Sequence, residues 1–199
     1  MKPVPSEPLS PKAAEIAMHA RALLAAGSYD SFSYADISER VGISKASIHH
    51  HFASKSELVR FVVAQYREEA RQGMASIDQQ IVEPLGGLNA YVDYWWKCLR
   101  DGTATFCICA MLAAELPLLP NEVADEVRGH FEDLIKWLAS VLRRGVAIGQ
   151  FHLTGTPAIE AKAFMAAVHG AMLSARAFDD AEAFRAITHL AIKKLTSAA

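Results

Sequence analysis

A chain of 199 residues, 52% hydrophobic and 21% charged, has room for one large domain or for a small domain fused to a larger one, with ample material for a core. No apolar run approaches the ~20 uninterrupted residues of a membrane span. The first eleven residues hold four prolines, one lysine and no apolar block, unlike a secretory signal, so a cytoplasmic protein without membrane contact is expected. A net charge of −2 does not by itself suggest nucleic acid, but residues 1–67 carry eight Lys/Arg against six Asp/Glu while the rest carries twelve against sixteen. Only a DNA-facing patch need be basic, so the first third remains a candidate.

In chain order, residues 1–10 are rich in proline and serine and read as a flexible arm. Ser10-Pro11 is an N-cap and first-turn pair, opening a helix with Ile16, Ala17, Ala20, Leu23 and Leu24 at helical spacing and stopping at Gly27. Tyr34–Val41 is a short helix between Ser33 and Gly42, and a second short helix covers Lys45 to Phe52. Ala53-Ser54 caps a long helix from Lys55 to about Ile81, with Leu58, Phe61, Val62, Gln65 and Tyr66 on one stripe.

Pro84 opens a helix that ends at Gly102, and Thr105 caps a shorter one running to Leu116 before Pro117. Pro120 begins an amphipathic helix to about Gly149, Thr156-Pro157 starts another to Phe178, and residues 180–196 form the last. No segment alternates with period two, so the expected fold is all-α with about nine helices. Boundaries are expected at 11–54 for a small helix-turn-helix domain and 55–199 for a larger sensing and pairing domain.

Two short helices joined by a glycine-containing turn behind a longer helix form a helix-turn-helix. Ile37, Val41, Ile43, Ile48 and Phe52 are suited to the inside, which leaves Ser44, Lys45, Ala46, Ser47, His49 and His50 for the outward face. Hydroxyls, a lysine and imidazoles on an exposed short helix fit phosphates and base edges of double-stranded DNA. Successive residues on a helix point about 100° apart, so His49-His50-His51 cannot converge on a metal ion. Neither a metal nor a cofactor is expected.

The string from Ile37 through Ser-Glu-Arg-Val-Gly-Ile-Ser-Lys-Ala-Ser-Ile-His-His-His-Phe-Ala-Ser-Lys-Ser-Glu to Leu58 closely resembles the DNA-binding signature of TetR-family transcriptional regulators, over about residues 12–62. The resemblance implies that Ser44, Lys45, Ala46 and Ser47 open the recognition helix, that His50 contacts DNA, that Phe52 anchors the core and that Lys55 holds a phosphate. His49 stands where the family usually has a tyrosine that touches the backbone, and Ala46 replaces a frequent glycine. Tyr34 is either a phosphate contact or a packing residue near the cap.

Reading a two-fold DNA site requires two recognition helices about one helical turn, ~34 Å, apart, hence a homodimer. Residues 158–177 are crowded with alanine, glycine and serine beside Phe164, Met165, Val168, Met172 and Leu173, and Ile187, Leu190, Ala191 and Leu195 complement them. The last two helices are therefore expected to pair across the dyad; the alternative is an ordinary core helix.

The middle helices are rich in aromatic residues, suited to a core or to a small apolar effector. The candidate lining is Tyr91, Tyr94, Trp95, Phe106, Met111 and Trp137, with His130, His169 and Arg176 as orienting groups. Cys98, Cys107 and Cys109 read as reduced thiols. Cys107 and Cys109 are candidate redox or electrophile sensors, Cys107 being placed in a helical first turn where thiolate is favoured; the alternative is two small buried hydrophobes.

The main functional expectation is a repressor released from a palindromic operator by an effector. Its rivals are thiol sensing and a helical module that binds protein. No glycine-rich phosphate loop, nucleophile elbow or paired-histidine metal motif supports an enzyme.

Overall fold

The computed structural model describes residues 9–102 and 106–197. Most of the expected arm, and the expected cap Thr105, lie outside the described residues. Among the described residues there are nine α-helices, one 3-10 turn and no strand. They are α1 (Pro11–Ala26), α2 (Tyr34–Val41), α3 (Lys45–His51), α4 (Lys55–Gln80), α5 (Pro84–Arg100), α6 (Ile108–Ala114), α7 (Asn121–Ala147), α8 (Pro157–Phe178) and α9 (Ala181–Thr196), with the 3-10 turn at Leu116–Leu118.

The helix starts follow from local chemistry. Ser10 Oγ accepts from Ala13 N at 3.2 Å, with Pro11 supplying a first-turn residue that needs no hydrogen bond. At α2, Ser33 Oγ accepts from Ala35 N while Ser33 N donates to Asp36 Oδ2, a reciprocal capping box. Ser44, Thr156 and Asp180 cap α3, α8 and α9 in the same manner. Gly42 takes φ 68° after α2, a left-handed conformation that a side chain would strain.

The chain divides into two compact units, and both α4 and α7 contribute to each. The first extends to Glu69 and adds Cys107–His130. The helix-turn-helix thus sits in a unit larger than residues 11–54, because α1 also packs on α6. Its core holds Ile16, Leu24, Ile37, Ile48, Leu58 and Leu112, all fully buried. On α4 the buried set is Leu58, Val59 and Phe61 through Ala64. Gln65, expected on the same stripe, is exposed; the amide stays in water while the wholly apolar turns before it are enclosed.

The second unit comprises 70–106 and 131–199. Here α8 and α9 form the most extensive pair and α5 packs on α9. Leu88, Leu138, Leu142, Met172 and Phe184 are fully buried at its centre. Gly145 lets the turn after α7 fold back: a Cβ there would sit 2.0 Å from the Phe151 ring. His152 N then donates to the carbonyl of Leu195 at 2.7 Å, fastening the chain to the end of α9.

α6 differs most from expectation. It begins at Ile108 and ends at Ala114, where a helix from Thr105 to Leu116 was expected. Pro117 ends it early through the 3-10 turn, since the residue before a proline is disfavoured in the α conformation.

Candidate nucleic-acid interface and effector region

α3 is positioned from beneath. Ile48 is fully buried and Phe52 nearly so, with the Phe52 ring 5.7 Å from that of Phe61. Truncating Ile48 to alanine would cost about 2–5 kcal/mol, so this apolar anchor fixes the orientation of the helix. Behind it, Ser38 Oγ donates to the carbonyl of Ile43 and ties α2 to the turn. The opposite face of α3 carries Ser44, Lys45, Ala46, His49 and His50, all exposed, with Ser47 and His51 half-buried. Ser44 Oγ accepts from Ser47 N at 3.1 Å, so that hydroxyl is already engaged in capping.

Tyr34 does not join the exposed set. It is buried, its hydroxyl donates to the carbonyl of Phe52 at 2.9 Å, and burial pushes its phenol up. Of the two roles open from sequence, this geometry is that of a packing residue and not of a phosphate contact. Its ring instead supports His49 at 4.8 Å. Lys55 begins α4 with its ammonium 4.5 Å from the centre of the Tyr29 ring, 4.8 Å from that of Phe32 and 3.8 Å from the Asp30 carboxylate.

The effector candidates fall in both units. In the first, His130 is buried, 5.3 Å from the Tyr66 ring, with Nε2 3.8 Å from Cys107 Sγ, while Met111 is half-buried. In the second, Tyr91 and Trp137 meet edge to face at 5.6 Å, and Trp95 and Phe106 are also buried. Arg176 is exposed with its guanidinium 6.0 Å from the Phe106 ring. His169 Nδ1 donates to the carbonyl of Met165 at 3.1 Å, and its buried Nε2 has no hydrogen-bond partner among the described residues. Tyr94 is 57% exposed, with its ring 5.4 Å from that of Trp95.

Sequence patterns had not singled out the residues of a 290 Å³ cleft lined by Arg71, Met74, Ala75, Asp78, Asp133, Lys136 and Trp137. Only Trp137 was among the candidates. The signal was present as helical spacing at 71, 74, 75 and 78, but it is half charged and resembles a solvated face. Arg71 pairs with Asp133 at 2.8 Å, and Asp78 accepts from Trp137 Nε1 at 3.1 Å and from Arg144 at 2.6 Å.

All three cysteines are free; Cys107 and Cys109 are fully buried and Cys98 is partly exposed. Because α6 starts at Ile108, Cys107 precedes the first turn rather than lying in it. Burial pushes the Cys109 thiol well up, the opposite of thiolate stabilisation.

A family model described as bacterial regulatory proteins, tetR family, matches residues 16–62, and one for a tetracyclin repressor-like C-terminal domain matches 84–190. A TetR-family transcriptional regulator from Agrobacterium tumefaciens is 54% identical with a TM-score of 0.91, over 94% of this chain and 98% of that one. The chain belongs to the TetR family.

Two further solved structures are similar at low identity. A regulator from Legionella pneumophila is 23% identical (TM-score 0.83, covering 95% of this chain and 100% of that one). The reduced form of E. coli NemR is 15% identical (TM-score 0.80, covering 94% and 99%). At these identities the likeness shows the fold alone. No curated protein matches the chain. As a TetR-family member the protein is a DNA-binding transcriptional regulator rather than an enzyme, with an N-terminal helix-turn-helix and a C-terminal helical domain. No helix among the described residues is long and apolar enough to cross a membrane.

Proposed function

We propose that this TetR-family protein is a homodimeric repressor released from a palindromic operator by a small apolar effector. The observation that carries the reading is the coexistence of two exposed faces. One is the polar face of α3, from which Lys45, His49 and His50 would meet DNA with Ser44, Ala46 and Ser47, and with Lys55 on a phosphate. The other is an apolar strip on α8: Ile159, Ala163, Ala166, Gly170, Leu173 and Ala177 are all exposed and recur at alternating spacings of four and three.

Such a strip left in water is unfavourable, and small side chains allow a second helix to approach closely. A copy of the same face, with Leu190 of α9 beside it, would bury it in a four-helix arrangement across a two-fold axis. On this reading residues 11–54 read DNA and 55–199 sense and pair. The effector would lie among the aromatic side chains of the middle helices, with His169 offering its unpartnered Nε2 for orientation. It must bind the DNA-incompetent state more tightly, since equal affinity for both states would shift nothing.

Retardation of DNA flanking the protein's own gene, with a footprint that shows two symmetric half-sites, tests the reading. An absent shift at low salt would overturn it, and a shift that survives high salt would favour a non-electrostatic partner.

Thiol sensing is supported by one contact, Cys107 Sγ to His130 Nε2. Histidine can take the thiol proton, but a reagent must first enter a closed core. If operator affinity is unchanged after Cys107 is fully alkylated, that second reading is wrong.

A further inference from the structure

His49 sits on the exposed face of α3 with one ring nitrogen already committed. Its Nδ1 lies 3.1 Å from the carbonyl oxygen of Ala53. A carbonyl oxygen only accepts, so Nδ1 must carry the proton in that contact. In the neutral imidazole this fixes the tautomer: Nε2, on the opposite edge, has a lone pair and no hydrogen. The Tyr34 ring at 4.8 Å gives the imidazole a second support, so ring orientation is set from two sides.

A DNA phosphate is likewise only an acceptor. Facing it, the neutral ring presents lone pair to lone pair, whereas the imidazolium presents an N–H and a positive charge, a charge-assisted hydrogen bond. We propose that His49 contacts the DNA backbone only in its protonated form, so that DNA affinity rises as pH falls through the range in which histidine titrates. The inference rests on the reading of α3 as the DNA-facing helix and adds a means of regulating it.

The charged and titratable groups around His49 are few. Tyr34 comes from α2. Glu57 lies in the first turn of α4, where its Oε2 accepts from Ala53 N at 2.9 Å, on the residue whose carbonyl holds Nδ1. Lys45 is one turn earlier on α3 and His50 is the next residue. The Lys55 ammonium is held against Tyr29, Phe32 and Asp30 instead.

The sign follows from proton linkage. If the complex holds a proton on His49 that the free protein lacks, binding takes up protons; the contribution is present at low pH and lost as pH rises. The limiting slope is about tenfold in affinity per pH unit for each proton taken up.

The test measures affinity of the full chain for a labelled duplex taken from the intergenic DNA beside its own gene, by anisotropy at constant salt between about pH 5.5 and 8, the window of histidine titration. Wild type is expected to tighten as pH falls, and its salt slope to steepen by roughly 0.9 for each added phosphate contact. His49→Tyr and His49→Gln each supply an uncharged donor and should flatten the pH profile while binding better than wild type at pH 8. His152→Gln, at an exposed histidine away from the DNA-facing helix, should keep the wild-type slope. A wild-type profile that is flat, or a slope that survives in both His49 variants, overturns the proposal while leaving the DNA-binding reading intact. No binding by wild type at any pH overturns both.

Discussion

The backbone N–H of Tyr29 donates to Glu115 Oε2 at 2.9 Å, joining the loop after α1 to the residue that ends α6. The same Tyr29 carries its ring against the Lys55 ammonium. Glu115→Ala should therefore lose about 1 kcal/mol of stability, the ordinary worth of one partly exposed hydrogen bond. The Tyr29 amide should also exchange hydrogen faster than in wild type, and Glu115→Gln, which keeps an acceptor, should restore most of the protection. Unchanged exchange in Glu115→Ala would show that the loop does not depend on this contact.

Lys55→Ala should weaken binding to every DNA sequence alike and reduce the salt slope by about one per half-site, as loss of a phosphate contact does. Ser47→Ala should instead change which sequence is preferred. Competition titrations at two salt concentrations separate the two outcomes.

Leu173 is 59% exposed on α8, within the apolar strip. Leu173→Glu would place like charges opposite each other across the proposed dyad and should shift the protein to monomer in sedimentation. Helicity should be little changed, because most of the side chain is exposed within its own chain. A Leu173→Glu protein that remains dimeric would move the interface elsewhere.

Asp36 illustrates a pH dependence whose sign is fixed by geometry. Its carboxylate accepts from Ser33 N and Ser33 Oγ, and the side-chain hydrogen bond from Ser33, followed by the backbone one, holds it below the usual carboxylate range. A lowered folded-state value contributes stability above the unfolded value, near 3.9, that is lost as pH falls through the folded one. Asp36→Asn should thus be less stable than wild type at pH 7, with the gap closing below about pH 4. Urea melts at the two pH values measure it.

Thiol titration under native conditions should label Cys98 first, with Cys107 and Cys109 reacting only on unfolding. Labelling of Cys107 as fast as Cys98 would mean that the core around His130 opens readily.

Much of this was legible in the sequence where the determinants are local. Ser10-Pro11, Ser33 with Asp36, and Gly42 each act within four residues of the boundary they set, and α1 begins, and α2 begins and ends, where those residues place them. α6 was not legible to the same degree, because no side chain caps its start at Cys107 and its end is set by Pro117. Tyr34 shows the limit at a single residue: its chemistry suits a phosphate or a core, and only the position of the Phe52 carbonyl decides. The cleft at Trp137 went unseen because Arg71 and Asp78 read as solvated charges until Asp133 and Arg144 are found beside them.

Lys55 reaches the DNA question with much of its side-chain freedom already gone. A lysine that meets a phosphate from open solvent must surrender rotamers and part of its hydration at that moment. Here two aromatic rings and one carboxylate confine the ammonium before any ligand arrives, so the ordering occurs once, when the domain folds. On the proposed reading, what remains at binding is the exchange of a 3.8 Å carboxylate for a phosphate. On that reading Asp30 is a built-in competitor: the stronger its hold on Lys55, the weaker the grip on DNA.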